Sequence, residues 1–368
     1  MAERMRRITR LFPVVLTLAA CVFSTPALGQ IESLPPTDKT VYSDADKQQI
    51  NAYVTPRLGS IGNGETSARE RARRELLVPL RRPGVSVAFR RAFRESSIST
   101  LTTLAGSTDD AVAINALLVL GEIADDSSRQ VVQQYTADDR VAVRYAAIAA
   151  MTATFRSIDV ASPAIDPGRV GEMVRHLADR LRDEPDPSVA DAIARSLLVA
   201  SNTRREGFAG AAARATTVLG AGVGGRLRAA DDNDRQVALM TAVRVAESYS
   251  NAMAAAGQVT PEAARAGAGF AGEVLAHLAS RARAASGSMP ATEGWEADLV
   301  TFCERIMVFS ASKLGGSVAA PGLVALVESG DSGAFYDRVS KLVLGLSGRP
   351  WNLPAEDMKR IRDALDGK

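Results

Sequence analysis

The chain has 368 residues, of which 46% are hydrophobic and 23% charged, so it can bury a large core and is not a disordered tail. Its two histidines and two cysteines leave little material for a histidine-rich metal site. Aromatic residues make up only 5%, whereas alanine and other good helix formers are abundant. The composition predicts a helical protein with no recognisable catalytic machinery.

The first 29 residues have the pattern of a secretory signal peptide. Four arginines within the first ten residues precede an apolar run over 11–23, and small residues then lead to Gly29. An apolar run of about 13 residues is shorter than the roughly 20 that span a bilayer as a helix. We therefore expect export to the periplasm or the extracellular space, with cleavage after Gly29. Leu18 to Cys21 also resembles a bacterial lipobox, so a lipoprotein anchored through Cys21 is the alternative.

Removal of residues 1–29 would take away four arginines and one glutamate and turn the net charge from +2 into −1. The basic character of the whole chain therefore does not indicate nucleic-acid binding. Residues 30–43 contain two prolines and several polar residues and are expected to form a flexible leader. Helical repeats are expected over 44–256, with a C-terminal helical extension of the same stack over 257–368.

From residue 44 onward nearly the whole chain is predicted to be helical, with short breaks rich in glycine, proline or aspartate. Asp166 and Asp186 each precede a proline at a first helical position, where the missing N–H costs nothing and the aspartate can cap the helix. No alternating strand pattern occurs in the sequence. The predicted helices cover about 44–55, 66–80, 86–105, 109–124, 127–135, 139–156, 167–183, 187–201, 205–219, 233–256, 261–285, 294–313, 318–329, 333–346 and 354–366.

Two segments have the pattern of helices buried between neighbours. Residues 109–125 and 139–150 both begin with aspartates and continue with apolar residues on two helical faces; in the second, Val143 lies on one face and Tyr145 on the other. Similar aspartate-marked helix starts follow after 47 and 48 residues, close to the HEAT and armadillo repeat length of roughly 40 to 47. These features resemble HEAT-repeat proteins, in particular the short, alanine-rich bacterial repeats named after phycobilisome lyases.

The resemblance covers about 85–155 and extends over 165–256. It implies an all-α fold, an α-solenoid of stacked antiparallel helix pairs, whose concave face binds another protein. The leading prediction is a non-catalytic interaction scaffold of the cell envelope. The alternative, which the lyase-related repeats suggest, is an enzyme or enzyme accessory with a histidine beside a carboxylate on the concave wall.

Glycine-rich and serine motifs do not predict an enzyme. The G-x-G-x-x-G segments at 220–225 and 267–272 lack the preceding strand that a dinucleotide-binding fingerprint needs; the first is expected to end a helix and the second to lie inside one. Ser310 to Lys313 matches S-x-x-K, but Ser310 lies on an apolar stripe, and the further motifs of that enzyme family are missing or out of order.

The remaining residue types that carry chemistry are few. His176 and His277 are expected at the boundary of the core, where a neutral ring can sit between apolar and polar groups. Cys303 is expected to be a small buried residue. No cofactor and no metal site is predicted.

The one feature above background is a cluster of arginines at the start of the predicted repeats, partly offset by Glu70 and Glu75. Such a cluster is either a solvated helix face with pairs such as Glu70–Arg74, or a patch that binds an acidic protein, an anionic lipid headgroup or a polysaccharide. Aromatic stacking partners are scarce, so single-stranded nucleic acid is not an expected partner. The cluster comprises Arg69, Arg71, Arg73, Arg74, Arg81, Arg82, Arg90, Arg91 and Arg94.

Overall fold

A computed structural model describes residues 34–160, 164–231, 233–255, 259–284 and 295–367. Within these ranges all regular structure is helical, apart from one isolated bridge between Asp125 and Ala164. A single 3₁₀ turn covers Tyr135–Ala137. The α-helices are α1 (Asp44–Asn63), α2 (Thr66–Leu80), α3 (Val87–Ala105), α4 (Asp110–Ile123), α5 (Asp126–Gln134), α6 (Val141–Val160), α7 (Pro167–Asp183), α8 (Pro187–Ser201), α9 (Ala209–Ala229), α10 (Arg235–Ala254), α11 (Pro261–Ala284), α12 (Trp295–Lys313), α13 (Leu323–Ser329), α14 (Ser332–Gly345) and α15 (Ala355–Leu365).

Aspartates cap several helices as the sequence predicts. The Asp166 carboxylate accepts the backbone N–H of Arg169 at the start of α7, and the Asp186 carboxylate accepts the N–H groups of Ser188 and Val189 at the start of α8. These bonds satisfy backbone donors that have no partner inside the helix. The proline that follows each aspartate is the first residue of its helix, so these two predicted starts are confirmed.

The helices α1 to α12 form two layers. Helices α2, α4, α6, α8, α10 and α12, each in contact with the next, form what we call the second layer. The odd-numbered helices form the first layer, in which α1 contacts α3, α7 contacts α9 and α9 contacts α11. An ion pair between Arg169 and Asp126 links α7 to α5 in this layer. The protein is therefore an all-α solenoid of stacked helix pairs, as predicted.

The helices share one continuous hydrophobic core, and small residues let some of them approach closely. A Cβ added at Gly121 of α4 would lie 2.5 Å from the backbone of Ala150 in α6. A Cβ added at Gly224 of α9 would lie 2.6 Å from the carboxylate carbon of Glu273 in α11. The prediction that 220–225 ends a helix is wrong, because α9 continues to Ala229; these glycines serve helix packing. The segment 267–272 lies inside α11, as predicted.

The last helices pack on α11 and α12. Helix α11 contacts α9, α12, α14 and α15, so it is buried over nearly its whole length. The indole N–H of Trp351, in the segment before α15, donates to the buried hydroxyl of Ser310 in α12 at 3.0 Å. This end of the stack is covered by the chain itself, as the terminal repeat of a solenoid requires.

The described part of the predicted leader packs against the helical stack. The N–H of Ser86 donates to the carbonyl of Thr37 at 2.9 Å, and its hydroxyl donates to the carbonyl of Lys39. The ring of Tyr42 contacts that of Phe89, with 5.8 Å between ring centres. Residues 34–43 of the flexible leader predicted over 30–43 therefore pack against the start of α3, and residues 30–33 lie outside the described residues.

The predicted signal peptide at 1–29 and Cys21 lie outside the described residues. Within the described ranges, none of the helices is both long and apolar enough to cross a membrane.

Candidate functional site

The predicted arginine cluster divides into buried and exposed members. Arg90 of α3 is buried and does not belong to an exposed patch. Its guanidinium donates to the carbonyl of Leu80 at 3.2 Å, to that of Ile123 at 3.1 Å, and to that of Glu122. These carbonyls stand at the C-terminal ends of α2 and α4, where backbone acceptors lack helical partners. The role of Arg90 is therefore to join three helices.

Three further members form ion pairs with neighbouring helices. Arg69 donates to Asp109, the cap of α4, at 2.7 Å, and this bond holds the pKa of the Asp109 carboxyl below its usual range. Arg81 at the end of α2 bonds Glu122 of α4. Arg94 lies 3.4 Å from Asp125. The distant acids Asp109, Glu122 and Asp125 could not be matched to these arginines by sequence spacing.

The other arginines of the cluster face solvent. Arg71, Arg82 and Arg91 are exposed, and their side chains have no ion pair or hydrogen bond with the described residues. Arg73 is half-buried and also lacks such a partner. Arg74 lies 3.6 Å from Glu70, with 63% of its side chain exposed, so this pair contributes little to stability.

A second polar site, which the sequence analysis missed, crosses three helices of the second layer. Asp191 of α8 accepts hydrogen bonds from Thr241 and Arg244 of α10, both at 2.6 Å. Arg195, one turn further along α8, contacts Asp191 at 2.9 Å and donates to the Tyr145 hydroxyl of α6 at 3.0 Å. We call these five residues the polar row. It holds two partly exposed guanidinium groups around a single carboxylate.

The missed row left one signal in the sequence. Asp191 and Arg195 have the i, i+4 spacing of an exposed helical ion pair. Tyr145 belongs to a predicted buried stripe of α6, but the structure leaves Tyr145 39% exposed and Val141 44% exposed. The prediction of burial is therefore wrong at the start of α6. Only the side-by-side packing of α6, α8 and α10 brings the row together.

A pocket of about 110 Å³ adjoins the polar row between α8, α10 and the end of α9. Its polar lining consists of Asp191, Asp234, Thr241 and Arg226, whose guanidinium donates to the Glu184 carbonyl. The rest of its wall is mostly apolar and includes Leu181. Small apolar pockets with a few fixed polar groups are typical of ligand or side-chain binding sites.

Ser310 has a structural role. Its hydroxyl donates to the carbonyl of Met307 at 3.0 Å and accepts the indole N–H of Trp351. Lys313 donates to the carbonyl of Ala255, and among the described residues no hydrogen bond joins it to Ser310, as one would join a catalytic base to its nucleophile.

The ring of His176 contacts the hydroxyl of Thr136, with 2.7 Å between Nε2 and Oγ1. The same hydroxyl lies 2.8 Å from the carbonyl of Gln133, so the ring donates an Nε2–H when the hydroxyl proton goes to that carbonyl and accepts when the proton goes to the ring. Burial, with Arg180 and Arg129 nearby, lowers the pKa of His176, while Asp179 opposes this. His176 is thus a neutral, hydrogen-bonded residue at the core boundary.

His277 of α11 is also held neutral. Burial, with Arg281, Arg235 and Arg228 nearby, lowers its pKa to about 4. Among the described residues neither histidine has a hydrogen bond to a carboxylate, which the enzyme alternative would need.

Cys303 is buried, and burial raises the pKa of its thiol. A buried thiol of raised pKa carries little thiolate and is a poor nucleophile. Across the described part of the chain, histidines, cysteines and carboxylates do not form a group of three that could hold a metal ion.

No family model and no curated protein matches the chain. Among solved structures it is similar to an engineered protein from a structural genomics consortium, with 16% sequence identity and a TM-score of 0.31. That match covers 85% of this chain and 92% of the engineered one. A likeness at this level carries no argument about function.

Proposed function

We propose that this chain is an exported, non-catalytic scaffold that binds another protein through the second layer, at the polar row and its adjoining pocket. The observation that carries the proposal is that the polar row and the pocket lie side by side. Arg195 and Arg244 both contact the one carboxylate of Asp191, so the row keeps an excess of positive charge. Their positions are set by three packed helices, which reduces the ordering that binding would require.

The chemistry of this surface selects a kind of partner. Arg195 and Arg244 present partly exposed guanidinium groups that suit a partner's carboxylate. The adjoining pocket, lined largely by apolar residues such as Leu181, suits a small apolar side chain. We therefore infer a protein segment that carries an acidic residue close to an apolar anchor.

The repeat architecture also supports a scaffold. Stacked helix pairs present a long surface built from many helices, and such surfaces are widely used to bind other macromolecules. The catalytic candidates, by contrast, have structural partners: Ser310 bonds Trp351, and His176 bonds Thr136.

The test is a pull-down from an envelope extract by three forms of the tagged chain. The site variant combines Tyr145→Ala with Arg195→Ala, which leaves Arg244 and Thr241 in contact with Asp191. The control combines Arg175→Ala with Arg214→Ala, two exposed first-layer arginines without an ion pair among the described residues. A partner retained by the wild type and the control but lost by the site variant supports the proposal. A partner retained equally by all three forms contradicts it.

A further inference from the structure

The exposed arginines of the cluster form a stripe at the N-terminal end of the solenoid. Arg71, Arg74 and Val78 follow one another at helical spacings of three and four on α2, and Arg81 continues the same face. All four are exposed, Val78 to 54%. Arg82 is the next residue and is also exposed. We call these five residues the arginine stripe; its helical part, over 71–80, is about 15 Å long.

The stripe is strongly basic. Among its exposed arginines, Arg71 and Arg82 have no ion pair with the described residues. Arg74 has only the exposed partner Glu70, and Arg81 pairs with Glu122 while 59% of its side chain remains exposed. These guanidinium groups can reorient and donate several hydrogen bonds to phosphate oxygens.

The chain enters the fold beside this stripe. Thr37 and Lys39 are both bonded to Ser86, four residues after Arg82, so the first described residues lie next to the α2–α3 turn. The apolar run at 11–23 ends eleven residues before Leu34, a span of at most about 40 Å when fully extended. Anything that holds the N-terminal segment at a membrane would therefore hold the stripe close to the lipid surface.

We propose that the arginine stripe docks the solenoid on the surface of an anionic phospholipid bilayer. This surface differs from the polar row, so the inference goes beyond the proposed scaffold and does not depend on it. Exposed arginines attract anionic headgroups, while Val78 supplies a single apolar contact. The stripe has no aromatic residue, whereas protein interfaces usually centre on aromatic anchors and single-stranded nucleic acids need aromatic stacking.

The test is co-sedimentation of the chain, as purified from the producing cell, with two kinds of vesicle. One is pure phosphatidylcholine; the other contains about a third phosphatidylglycerol. The readout is the ratio of binding to anionic and neutral vesicles, because apolar insertion or a lipid anchor contributes equally to both. We expect a ratio of about ten or more at low salt, falling towards one at about 1 M NaCl, where the Debye length is about 3 Å.

Two matched variants separate the stripe from net charge. The stripe variant combines Arg71→Glu, Arg74→Glu and Arg82→Glu and keeps Arg81 on Glu122. The control variant makes the same charge change at the exposed Arg156, Arg175 and Arg214 of α6, α7 and α9. Circular dichroism and thermal melting verify that both fold. We expect the stripe variant to lose the preference for anionic vesicles and the control to keep most of it.

Three outcomes would overturn the proposal. The first is a wild-type ratio near one at low salt. The second is an equal loss in both variants, which would reduce the effect to net charge. The third is binding to dextran sulfate without binding to vesicles, which would assign the stripe to a polysaccharide.

Discussion

The guanidinium of Arg144 in α6 donates two hydrogen bonds to the carboxylate of Glu184, of 2.9 and 3.2 Å. Both side chains are buried, and Glu184 is completely inaccessible to solvent. Glu184 lies in the break between α7 and α8, where Arg180 also reaches its carboxylate at 3.1 Å and Arg226 donates to its carbonyl. One buried acid thus connects α6, α7 and α9 at the break that leads into α8.

Glu184→Gln tests this connection. The amide keeps the shape of the side chain but leaves Arg144 buried without its counter-ion, and breaking a buried pair in this way costs about 3–5 kcal/mol. Urea unfolding should show a lower midpoint with an unchanged slope. Asp183→Asn is the matched control, because Asp183 is the exposed neighbour. An equal, small effect of both substitutions would show that the Arg144–Glu184 pair does not hold the helices together.

The buried and the exposed members of the arginine cluster should differ in their effect on stability when they are substituted. Arg90→Ala removes the donor to three backbone carbonyls and should destabilise the fold by about 3 kcal/mol. Arg73→Glu combined with Arg74→Glu should leave folding intact, with a change within about 1 kcal/mol, because neither residue has a strong partner in the described structure. Thermal melting of both variants measures the difference. A large loss in the double variant would show that the exposed arginines are structural.

Close helix packing at Gly121 gives a third prediction. The Cβ of Gly121→Ala would lie 2.5 Å from the α6 backbone, so α4 and α6 must separate, at a cost of about 1–3 kcal/mol. Gly171→Ala in α7 is the control: its Cβ meets nothing within 4 Å, and alanine should stabilise that helix by about 0.5–1 kcal/mol. Chemical denaturation should therefore give opposite signs for the two variants. Equal signs would contradict the close approach at Ala150.

His277 predicts a pH dependence of stability. Its pKa of about 4 in the fold lies below the ordinary histidine value of 6.5, so between these values the unfolded chain binds more protons at this site. The stabilising contribution of the neutral ring is therefore present above pH 6.5, is lost as the pH falls from 6.5 to 4, and changes no further below 4. An NMR titration should show one of the two histidines with a midpoint near 4.

The same site can be checked through stability. In His277→Gln the fall of unfolding free energy between pH 6.5 and 4 should be shallower than in the wild type. Glu273 and Glu296, whose pKa values burial raises, are present in both proteins. The difference between the two pH slopes therefore reports the titration of His277. Identical slopes would mean that the ring of His277 is solvated and titrates normally.

The all-α class and most helix positions follow from local chemistry that the sequence displays. Asp186 before Pro187 marks the start of α8, because a cap and a restricted φ act on the nearest residues only. Apolar spacing predicted the burial of Cys303 and Ser310 in α12 for the same reason. The wrong predictions concern residues whose environment is set by a helix far away in the sequence. Glycines at 220–225 look like a helix end, but in α9 they make room for Phe270 and Glu273 of α11.

The sequence by itself determined the helices and the faces that they bury, since helix caps and apolar periodicity depend on residues a few positions apart. Only the tertiary structure decided which arginines are structural and which are free to bind. Arg90 and Arg91 are adjacent, yet one is buried under the ends of α2 and α4 and the other faces solvent. The polar row likewise exists only because α6, α8 and α10 lie side by side, which brings Tyr145 to Arg195 across 50 positions of the chain. Contacts over such separations depend on how whole helices stack, and neither residue type nor local spacing encodes them.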